Sequence, residues 1–411
     1  MKIPQKTFEA ASHSVVPALV TPLLILAVLF YFDRTWGSVT RFVVVIDHCP
    51  QLFCDFVRHY YPMGRDIFHG GTRIVGYLYT PFFAFCLALP AQLPLDAAVR
   101  LWGVLQVGAA AALMLAPAIA LRRLFASNTL YYGYVLVFLL CVPVLHNFKW
   151  GQVSTGVTLL VVLTLFLYRG GYRSWAAVLL SLAISVKYYP VIFVLYFVVL
   201  RDWRFVLTVA AIVAVTLIVI PIVLMGPFDT WHFYRGTLSA FTTTVFLAED
   251  PNSQYVAHVF QRWWSLKPGG AGVQLASLAG YIVAAGALYL AFRAARRDRE
   301  PGGFHVFCLL FLVMPLALRT SWPHYFVYLP FCQAFLAGIF VRRRSAMATI
   351  RLVALVLPSV ILSSVFFFNR FREWSTYAER GYLFLADALL LAAACWELLE
   401  KEPFCPAEAV C

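Results

Sequence analysis

The sequence predicts an all-α, polytopic membrane protein with about 12 transmembrane helices, and three observations support this. Of its 411 residues 62% are hydrophobic and 12% are charged, and the mean hydropathy of +0.80 exceeds that of soluble domains. Apolar runs long enough to cross a bilayer recur along the chain. Arginines cluster in alternate short loops between these runs. We therefore treat residues 1–411 as a single membrane-embedded domain, without room for a large soluble one.

The spans are predicted from the apolar runs in chain order. The first, near residues 13–32, follows Lys2 and Lys6 and lacks a small-residue cleavage site, which favours a retained helix over a signal peptide. The run 77–90, interrupted by Pro81, is too short to cross and is predicted to be re-entrant or juxtamembrane. The other spans are predicted near 97–121, 130–146, 152–168, 174–187, 189–200, 205–225, 273–292, 304–318, 325–341, 350–368 and 381–399.

Basic loops set the predicted orientation, because arginine and lysine favour the cytoplasmic side. The alternation of these loops holds only if 77–90 does not cross, and it places both termini in the cytoplasm. The opposite, extracytoplasmic face then receives a first loop, 33–96 with its re-entrant segment, and a second large loop, 226–272. Nearly all polar clusters fall on that face, which predicts a functional site there. The arginines concerned are Arg122, Arg123, Arg169, Arg173, Arg201, Arg204, Arg293, Arg296, Arg297, Arg299, Arg342, Arg343 and Arg344.

Charge and cysteine content argue against several other classes of protein. The formal net charge of +13 follows from the cytoplasmic arginines, so nucleic-acid binding is not predicted. The nine cysteines are scattered and mostly lie in apolar runs, which argues against a disulfide framework or a metal cluster. Only Cys49 and Cys54 share a loop and are candidates for pairing.

The first extracytoplasmic loop contains the strongest candidate for a general base. Within CDFVRHYYPMGRDIFHGG, Asp55, Arg58 and His59 are spaced i, i+3 and i+4, so one helical turn would bring them together. A carboxylate there, tuned by burial and a nearby cation, could deprotonate a hydroxyl. A surface ion pair is the alternative, and Asp47 in VVVIDHCP is the competing base.

The remaining acids predict no metal site. Asp33, Asp66, Asp229, Glu249, Asp250, Glu373 and Glu379 lie on the same predicted face but form no paired-carboxylate motif. Asp387 lies inside the last predicted span, where we expect it to pair with Arg380.

Cations on the predicted extracytoplasmic face suit a phosphate ligand. They are Arg58, Lys149, Lys187, Arg262 and Arg319, with His324 as a further donor. Lys187 stands out because SVKYYP places it between two apolar runs, where it lines a cavity or extends to the headgroup layer. A departing phosphate needs its charge stabilised, and such cations can supply this without an acid catalyst.

The second large loop is predicted to contain an interfacial helix. In NSQYVAHVFQRWW, apolar side chains repeat at helical spacing, from Tyr255 and Val256 to Trp263 and Trp264. Such a helix could roof a cavity and admit a lipid substrate from the bilayer. A simple aromatic belt is the alternative.

Taken in order, several motifs resemble glycosyltransferase family 87, whose members are integral membrane enzymes of the GT-C type. They are the first loop with Asp55 and Tyr60, YLYTPFFAF, GQVS at Gly151–Ser154, VKYYP followed by RDWR, the NSQ segment to Arg262, and SWPHYFVYLP at Ser321–Pro330. The resemblance runs from about Asp55 to Pro330. Two departures are Ser154, where asparagine is expected, and Thr80-Pro81, where paired prolines are expected.

The resemblance implies a GT-C fold, a polyprenyl-phosphate sugar donor, most often mannose, and inversion at the anomeric carbon. It also implies no nucleotide-sugar site, and with no metal site predicted we expect no cofactor. Asp55 matches the catalytic base, and His324 matches the histidine of the W-x-H corner, which would contact the donor phosphate or the acceptor. The substrate-binding residues expected from the motifs and the loop analysis are Arg58, His59, Tyr60, Tyr79, Gln152, Lys187, Tyr188, Asn252, Arg262, Arg319, Trp322 and His324.

The predicted function is therefore sugar transfer to a lipid or glycan hydroxyl at the extracytoplasmic face of a bacterial plasma membrane, with membrane lipids as partners. A transporter or flippase for a lipid-linked sugar would also need a cation-lined cavity. It would, however, be expected to show internal repeats, a nucleotide-binding loop or an acidic relay. A non-catalytic subunit of a glycan-assembly complex is the third possibility, and it would tolerate loss of Asp55.

Overall fold

The computed structural model describes residues 15–47, 49–68, 77–243, 250–297 and 302–400. Across these ranges the chain is helical and contains no β-strand, apart from an isolated bridge between Cys141 and Ser364. The α-helices are Val15–Trp36, Val39–Val45, Tyr61–Asp66, Pro81–Ala88, Leu95–Phe125, Asn128–Leu139, Val142–Trp150, Ser154–Arg169, Arg173–Val186, Val194–Val199, Trp203–Ala214, Ile220–Met225, Pro227–Thr243, Val256–Trp263, Ala271–Arg297, Gly302–Leu312, Met314–Ala317, Leu329–Arg343, Ala346–Arg351, Leu357–Leu362, Val365–Phe368, Trp374–Glu379 and Tyr382–Leu399.

Many helices are short because π-helical and 3₁₀ segments interrupt them. The π segments are Phe56–Tyr60, Val215–Val219 and Leu352–Val356, and the 3₁₀ segments are Pro90–Gln92, Tyr189–Phe193 and Pro323–Tyr328. Proline accounts for the 3₁₀ breaks, since Pro90, Pro190 and Pro323 each stand at the start of one and have no N–H to donate. The segments that contain Pro190 and Pro323 therefore bend the backbone close to Lys187 and His324, two of the polar residues identified from the sequence.

Five helical segments in the described ranges are long and apolar enough to cross a membrane, or six if the bent pair Val20–Trp36 and Val39–Val45 is one span. This confirms an all-α polytopic membrane protein. The count of twelve is not confirmed, because several predicted spans fold as helices of 10–17 residues, shorter than a straight crossing requires. The helix Pro81–Ala88, at about 12 Å, is likewise much shorter than the hydrocarbon core.

The spans differ in how far the protein encloses them. In Pro323–Arg343, 89% of the apolar window is buried within the protein, against 17% in Trp203–Met225. The first segment is therefore central, and its N-terminal end carries the W-x-H corner. The second leaves most of its apolar surface on the outside, where lipid would cover it.

Buried charges join three helices at the C-terminal end of this central segment. Arg343 and Arg351 form ion pairs with Glu397 and Glu400, including Arg343 Nη2 to Glu397 Oε1 at 2.6 Å. Glu397 is fully buried, so two arginines and two glutamates neutralise each other inside the fold. Arg343 thus has a structural role that its place in a basic loop does not reveal.

The expected pairing of Asp387 with Arg380 is wrong. Asp387 is buried and accepts a 2.7 Å hydrogen bond from the Tyr328 hydroxyl, whereas Arg380 lies over the Phe371 ring. Burial within the helical bundle explains the difference, because Arg380 is exposed at the end of the bundle.

In the loop 226–272, the described residues 226–243 and 250–270 contain two helices. Val256–Trp263 confirms the predicted helix, but its apolar face packs against Ala271–Arg297, and Tyr255 and Val259 are buried within the protein. Only its end, at Trp263 and Trp264, is strongly aromatic and exposed. The second helix, Pro227–Thr243, was not predicted, although it starts with a helix-compatible proline after Gly226.

Candidate active site

Residues distant in sequence converge on a cavity of about 190 Å³, which we call the acid-lined cavity. It contains carboxylate, imidazole, amide and indole groups, the combination that recognises and activates hydroxyl groups. Its lining consists of Asp55, His59, Leu78, Tyr79, His146, Trp150, Gln152, Asp250, Asn252, Trp322, Pro323, His324 and Tyr325.

The segment before Asp55 is held in a compact turn. A disulfide joins Cys49 to Cys54, confirming the predicted pairing, and Phe53 between them adopts a positive φ of 57°. Gly151 lies against Phe53, where an added Cβ would come within 2.9 Å of the Phe53 Cα atom. This close approach requires glycine and brings the GQVS segment next to the start of the helical turn at Asp55.

A π-helical turn then determines which side chains meet Asp55. His59 Nε2 lies 3.9 Å from Asp55 Oδ1, and both residues line the cavity. Arg58 is exposed and does not line it, so the predicted three-residue face is only partly formed. The wider π turn moves Arg58, at i+3, away from the carboxylate. The spacing of apolar residues in the sequence does not reveal a π turn.

Gln152 connects Asp55 to two buried tyrosines. Its side-chain amide donates to Asp55, while its carbonyl oxygen accepts hydrogen bonds from Tyr60, at 3.0 Å, and from Tyr79. The two hydroxyls also lie 2.5 Å apart. Because phenol hydroxyls donate to the carbonyl, the amide group must face the carboxylate, and Asp55 is held in one orientation. Tyr60 is buried behind the cavity wall.

Burial raises the pKa of Asp55 to about 7, and this is the largest effect on the group. The Gln152 hydrogen bond and the positive charges of Lys187 and Arg58 oppose the rise, and the charge of Asp47 adds to it. A carboxyl group with a pKa near neutrality can both accept and release a proton, as a general base requires.

Asp47, the competing candidate, does not line the cavity. Its side chain is fully buried, and its Oδ2 atom lies 3.2 Å from His146 Nε2 and 2.9 Å from Trp150 Nε1. Asp47 therefore contacts His146 and Trp150, which line the cavity, whereas Asp55 lines the cavity itself.

Asp250 is a second carboxylate in the cavity, and sequence reasoning did not select it as a site residue. It accepts a 3.1 Å hydrogen bond from Trp322 Nε1, and burial raises its pKa. Asn252 similarly accepts from Trp374 Nε1 at 2.5 Å. The segment thus fixes the Trp322 ring at the cavity, where a flat aromatic face suits a sugar ring, and the Trp374 ring against His146. In the sequence, only its proximity to the NSQ motif could have marked Asp250 as a site residue.

A larger cavity of about 690 Å³, which we call the apolar cavity, adjoins the first, and Leu78 and Tyr325 line both. Aliphatic and tyrosine side chains dominate its wall, and the unpredicted helix Pro227–Thr243 contributes Tyr234 and Thr237. Its lining residues are Leu78, Lys187, Tyr188, Tyr189, Val191, Ile192, Tyr234, Thr237, Tyr281, Met314, Ala317, Leu318, Arg319, Thr320 and Tyr325.

Lys187 lies near the wall shared by the two cavities. It is buried, its Nζ donates to Ser154 Oγ at 3.0 Å, and the same atom lies 3.9 Å from the centre of the Tyr325 ring. Ser154, the departure from the expected motif, therefore holds the lysine. Tyr188 also lines the apolar cavity, and its buried hydroxyl has no hydrogen-bond partner among the described residues.

Two further predicted cations, besides Arg58, line neither cavity. Arg262 donates to the backbone carbonyls of Ser253, at 2.6 Å, and Glu379, at 3.0 Å, and it lines neither cavity. Its pKa is lowered to about 10 by burial. Lys149 donates to the Val44 and Cys49 carbonyls and anchors the disulfide turn. Both cations hold loops together because buried carbonyl groups need donors.

Comparisons with known proteins identify the family of the chain. The family model described as glycosyltransferase family 87 matches residues 77–318, which excludes the Asp55 turn. The chain is 27% identical over 259 residues to the polyprenol-phosphate-mannose-dependent alpha-(1-2)-phosphatidylinositol mannoside mannosyltransferase of Mycobacterium tuberculosis. That match covers 61% of this chain and 57% of the relative, so less than two thirds of the relative's length is represented. No solved structure matches the chain. The family match spans more than half of the sequence, and the chain belongs to glycosyltransferase family 87.

Proposed function

We propose that this enzyme transfers a sugar, with mannose as the first candidate, from a polyprenyl phosphate to a lipid or glycan hydroxyl, with inversion. One observation carries the proposal. A carboxylate, Asp55, lines the acid-lined cavity, and a buried cation, Lys187, lines the adjoining apolar cavity. This arrangement suits a lipid phosphate joined to a sugar at the boundary.

The apolar cavity is the proposed donor site. Its aliphatic and tyrosine wall suits the polyprenyl chain, and Lys187, Arg319 and the Tyr188 hydroxyl are placed to contact the phosphate. The relative's name states that polyprenol-phosphate mannose is the donor of that protein, which favours the same donor class here.

The acid-lined cavity is the proposed site of the reacting hydroxyl. Asp55 takes the hydroxyl proton while the oxygen attacks the anomeric carbon and the bond from that carbon to the phosphate oxygen breaks. The departing lipid phosphate keeps the bonding electrons, and Lys187, Arg319 and His324 stabilise its charge. By analogy with other glycosyl transfer, positive charge develops on the sugar ring, over the Trp322 face. We propose no metal or other cofactor in this step.

The membrane side of the site is part of the proposal. The Cys49–Cys54 disulfide lies in the turn that precedes Asp55, and disulfides persist in oxidising compartments outside the cytoplasm. The arginines in alternate loops favour the same orientation. We therefore place the site on the extracytoplasmic face of a bacterial plasma membrane.

Sugar transfer from radiolabelled polyprenyl-phosphate mannose to a membrane lipid extract tests the proposal with purified protein. Wild type should transfer label, Asp55→Asn should not, and the control Asp66→Asn, at an exposed position in the same loop, should be unaffected. Retained labelled-donor binding in Asp55→Asn would show that chemistry, and not folding, was lost. Full activity in Asp55→Asn would overturn the assignment of the base. Silence of wild type with all donor sugars would favour a transporter of lipid-linked sugars.

A further inference from the structure

His146 and Asp47 form a buried pair to which the proposed chemistry gives no role. Asp47 Oδ2 lies 3.2 Å from His146 Nε2, and both side chains are at most 2% exposed. His146 also lines the acid-lined cavity, stacked on Trp374 at 4.5 Å between ring centres. The pair thus connects an interior carboxylate to the wall that faces Asp55.

The hydrogen bonds around the pair determine where the imidazole proton lies. Trp150 Nε1 is a donor only, and it lies 2.9 Å from Asp47 Oδ2 and 3.0 Å from His146 Nε2. A buried carboxylate is the stronger acceptor, so both Trp150 and His146 Nε2 donate to it. In neutral histidine this leaves Nδ1 without a proton, as an acceptor.

The Nδ1 atom of His146 is buried and has no hydrogen-bond partner among the described residues. An acceptor nitrogen left unpaired in the protein interior is costly unless a ligand satisfies it. Its chemical complement is an O–H or N–H group of a molecule in the cavity. The proposed reaction brings a hydroxyl-bearing substrate into this same cavity.

We infer that His146, held with its proton on Nε2 by Asp47, is a positioning residue that accepts a hydrogen bond from a second hydroxyl of the acceptor, next to the one Asp55 deprotonates. The acceptor is then a polyol, such as a sugar ring or a cyclitol headgroup, and not a lipid with a single alcohol. This inference rests on the proposed function.

Substitution of Asp47 by asparagine separates this role from a structural one. The Asp47→Asn side chain keeps its shape, but its amide can donate to His146 Nε2 and so move the imidazole proton to Nδ1. The cavity would then present a donor in place of an acceptor. A related exchange of tautomer makes an aspartate-to-asparagine change severe in the serine-protease triad, even though the geometry is retained.

Nitrogen NMR of the full-length protein in detergent, with ¹⁵N-histidine and His146→Gln for assignment, reports the tautomer without any turnover. We expect Nε2–H in wild type and Nδ1–H in Asp47→Asn. Octyl α-mannoside, used as a polyol probe, should shift the wild-type Nδ1 signal, and octanol should not. An Nδ1–H form in wild type, or no shift with the mannoside, would overturn the inference even if transfer failed and the proposed function with it.

Kinetics provide the second readout. With the lipid extract as acceptor, His146→Phe should raise the acceptor KM about tenfold, the loss expected for one hydrogen bond left unmade, with the donor KM unchanged. His146→Gln, whose amide oxygen can still accept, should recover part of the loss that His146→Phe shows. Equal donor and acceptor effects, accompanied by a lower melting temperature, would assign the pair a purely structural role and overturn the inference.

Discussion

Gln152 donates a hydrogen bond from its side-chain amide to the carboxylate of Asp55. The other end of the same amide accepts from Tyr60 and Tyr79, so the glutamine cannot rotate without breaking both tyrosine contacts. Gln152 therefore stabilises the ionised form of Asp55 and also fixes its direction. The geometry of the GQ dipeptide is thereby explained locally, with Gly151 permitting close approach and Gln152 orienting the acid.

Gln152→Leu should shift the pH dependence of transfer. The hydrogen bond from Gln152 lowers the pKa of Asp55, so its loss lets burial raise that pKa above about 7. The acid limb of kcat/KM should move to higher pH, with a large loss at pH 7 that diminishes toward pH 9. An exposed change, Gln92→Leu, is the control. An unchanged acid limb in Gln152→Leu would contradict this role.

Wild-type transfer should rise with pH through about 7. Asp55 acts as a base only when ionised, and its pKa of about 7 sets the midpoint of the rise in kcat/KM. Gln152 and His59 lie beside it, and the charges of Lys187, Arg58 and Asp47 also affect its pKa. A rate independent of pH between about 5.5 and 8.5 would show that this carboxyl group is not the base. The Asp66→Asn control should show the pH profile of wild type.

Ionised Asp55 should destabilise the fold. Its pKa is raised in the folded protein, so the folded state holds the proton more tightly than the unfolded state, and stability falls as pH rises from the ordinary value of 3.8 toward about 7. Asp55→Asn removes this titration. Its apparent melting temperature should equal or exceed that of wild type at pH 8 and lie closer to it at pH 5. A lower melting temperature at pH 8 would contradict the sign.

The sequence predicted the fold class and the Cys49–Cys54 pair, and it singled out Asp55, which lines the cavity, because each rests on a local signal, either hydropathy, a shared loop or a motif. It did not predict the separate positions of Lys187 and Arg262, because both sit in motifs and only the tertiary structure shows that one lines a cavity and the other binds loop carbonyls. His146 was also missed, since its partner Asp47 lies 99 residues earlier in the chain.

Lys187→Gln should lower kcat/KM for the lipid-phosphate donor by about 10²–10³, the usual cost of removing one charge-stabilising donor. The loss should appear mainly in kcat if the lysine acts on the charge that develops at the phosphate. Lys267→Gln, at an exposed position, is the matched control and should behave as wild type. Ser154→Ala, which removes the hydroxyl that holds Nζ, should show a smaller loss. Full activity in Lys187→Gln would exclude it from the donor site.

Glu397→Gln tests the buried charge network and should affect stability more than catalysis. Arg343 and Arg351 both contact Glu397, so neutralising it leaves two guanidinium groups with Glu400 as the remaining carboxylate of the cluster. An uncompensated buried charge costs about 3–5 kcal/mol. The apparent melting temperature should therefore fall by several degrees. Donor and acceptor KM should stay unchanged, because the network contains no residue of either cavity. Glu379→Gln, at an exposed position, is the control and should melt at the wild-type temperature. If Glu397→Gln also melts at the wild-type temperature, the network contributes no net stability.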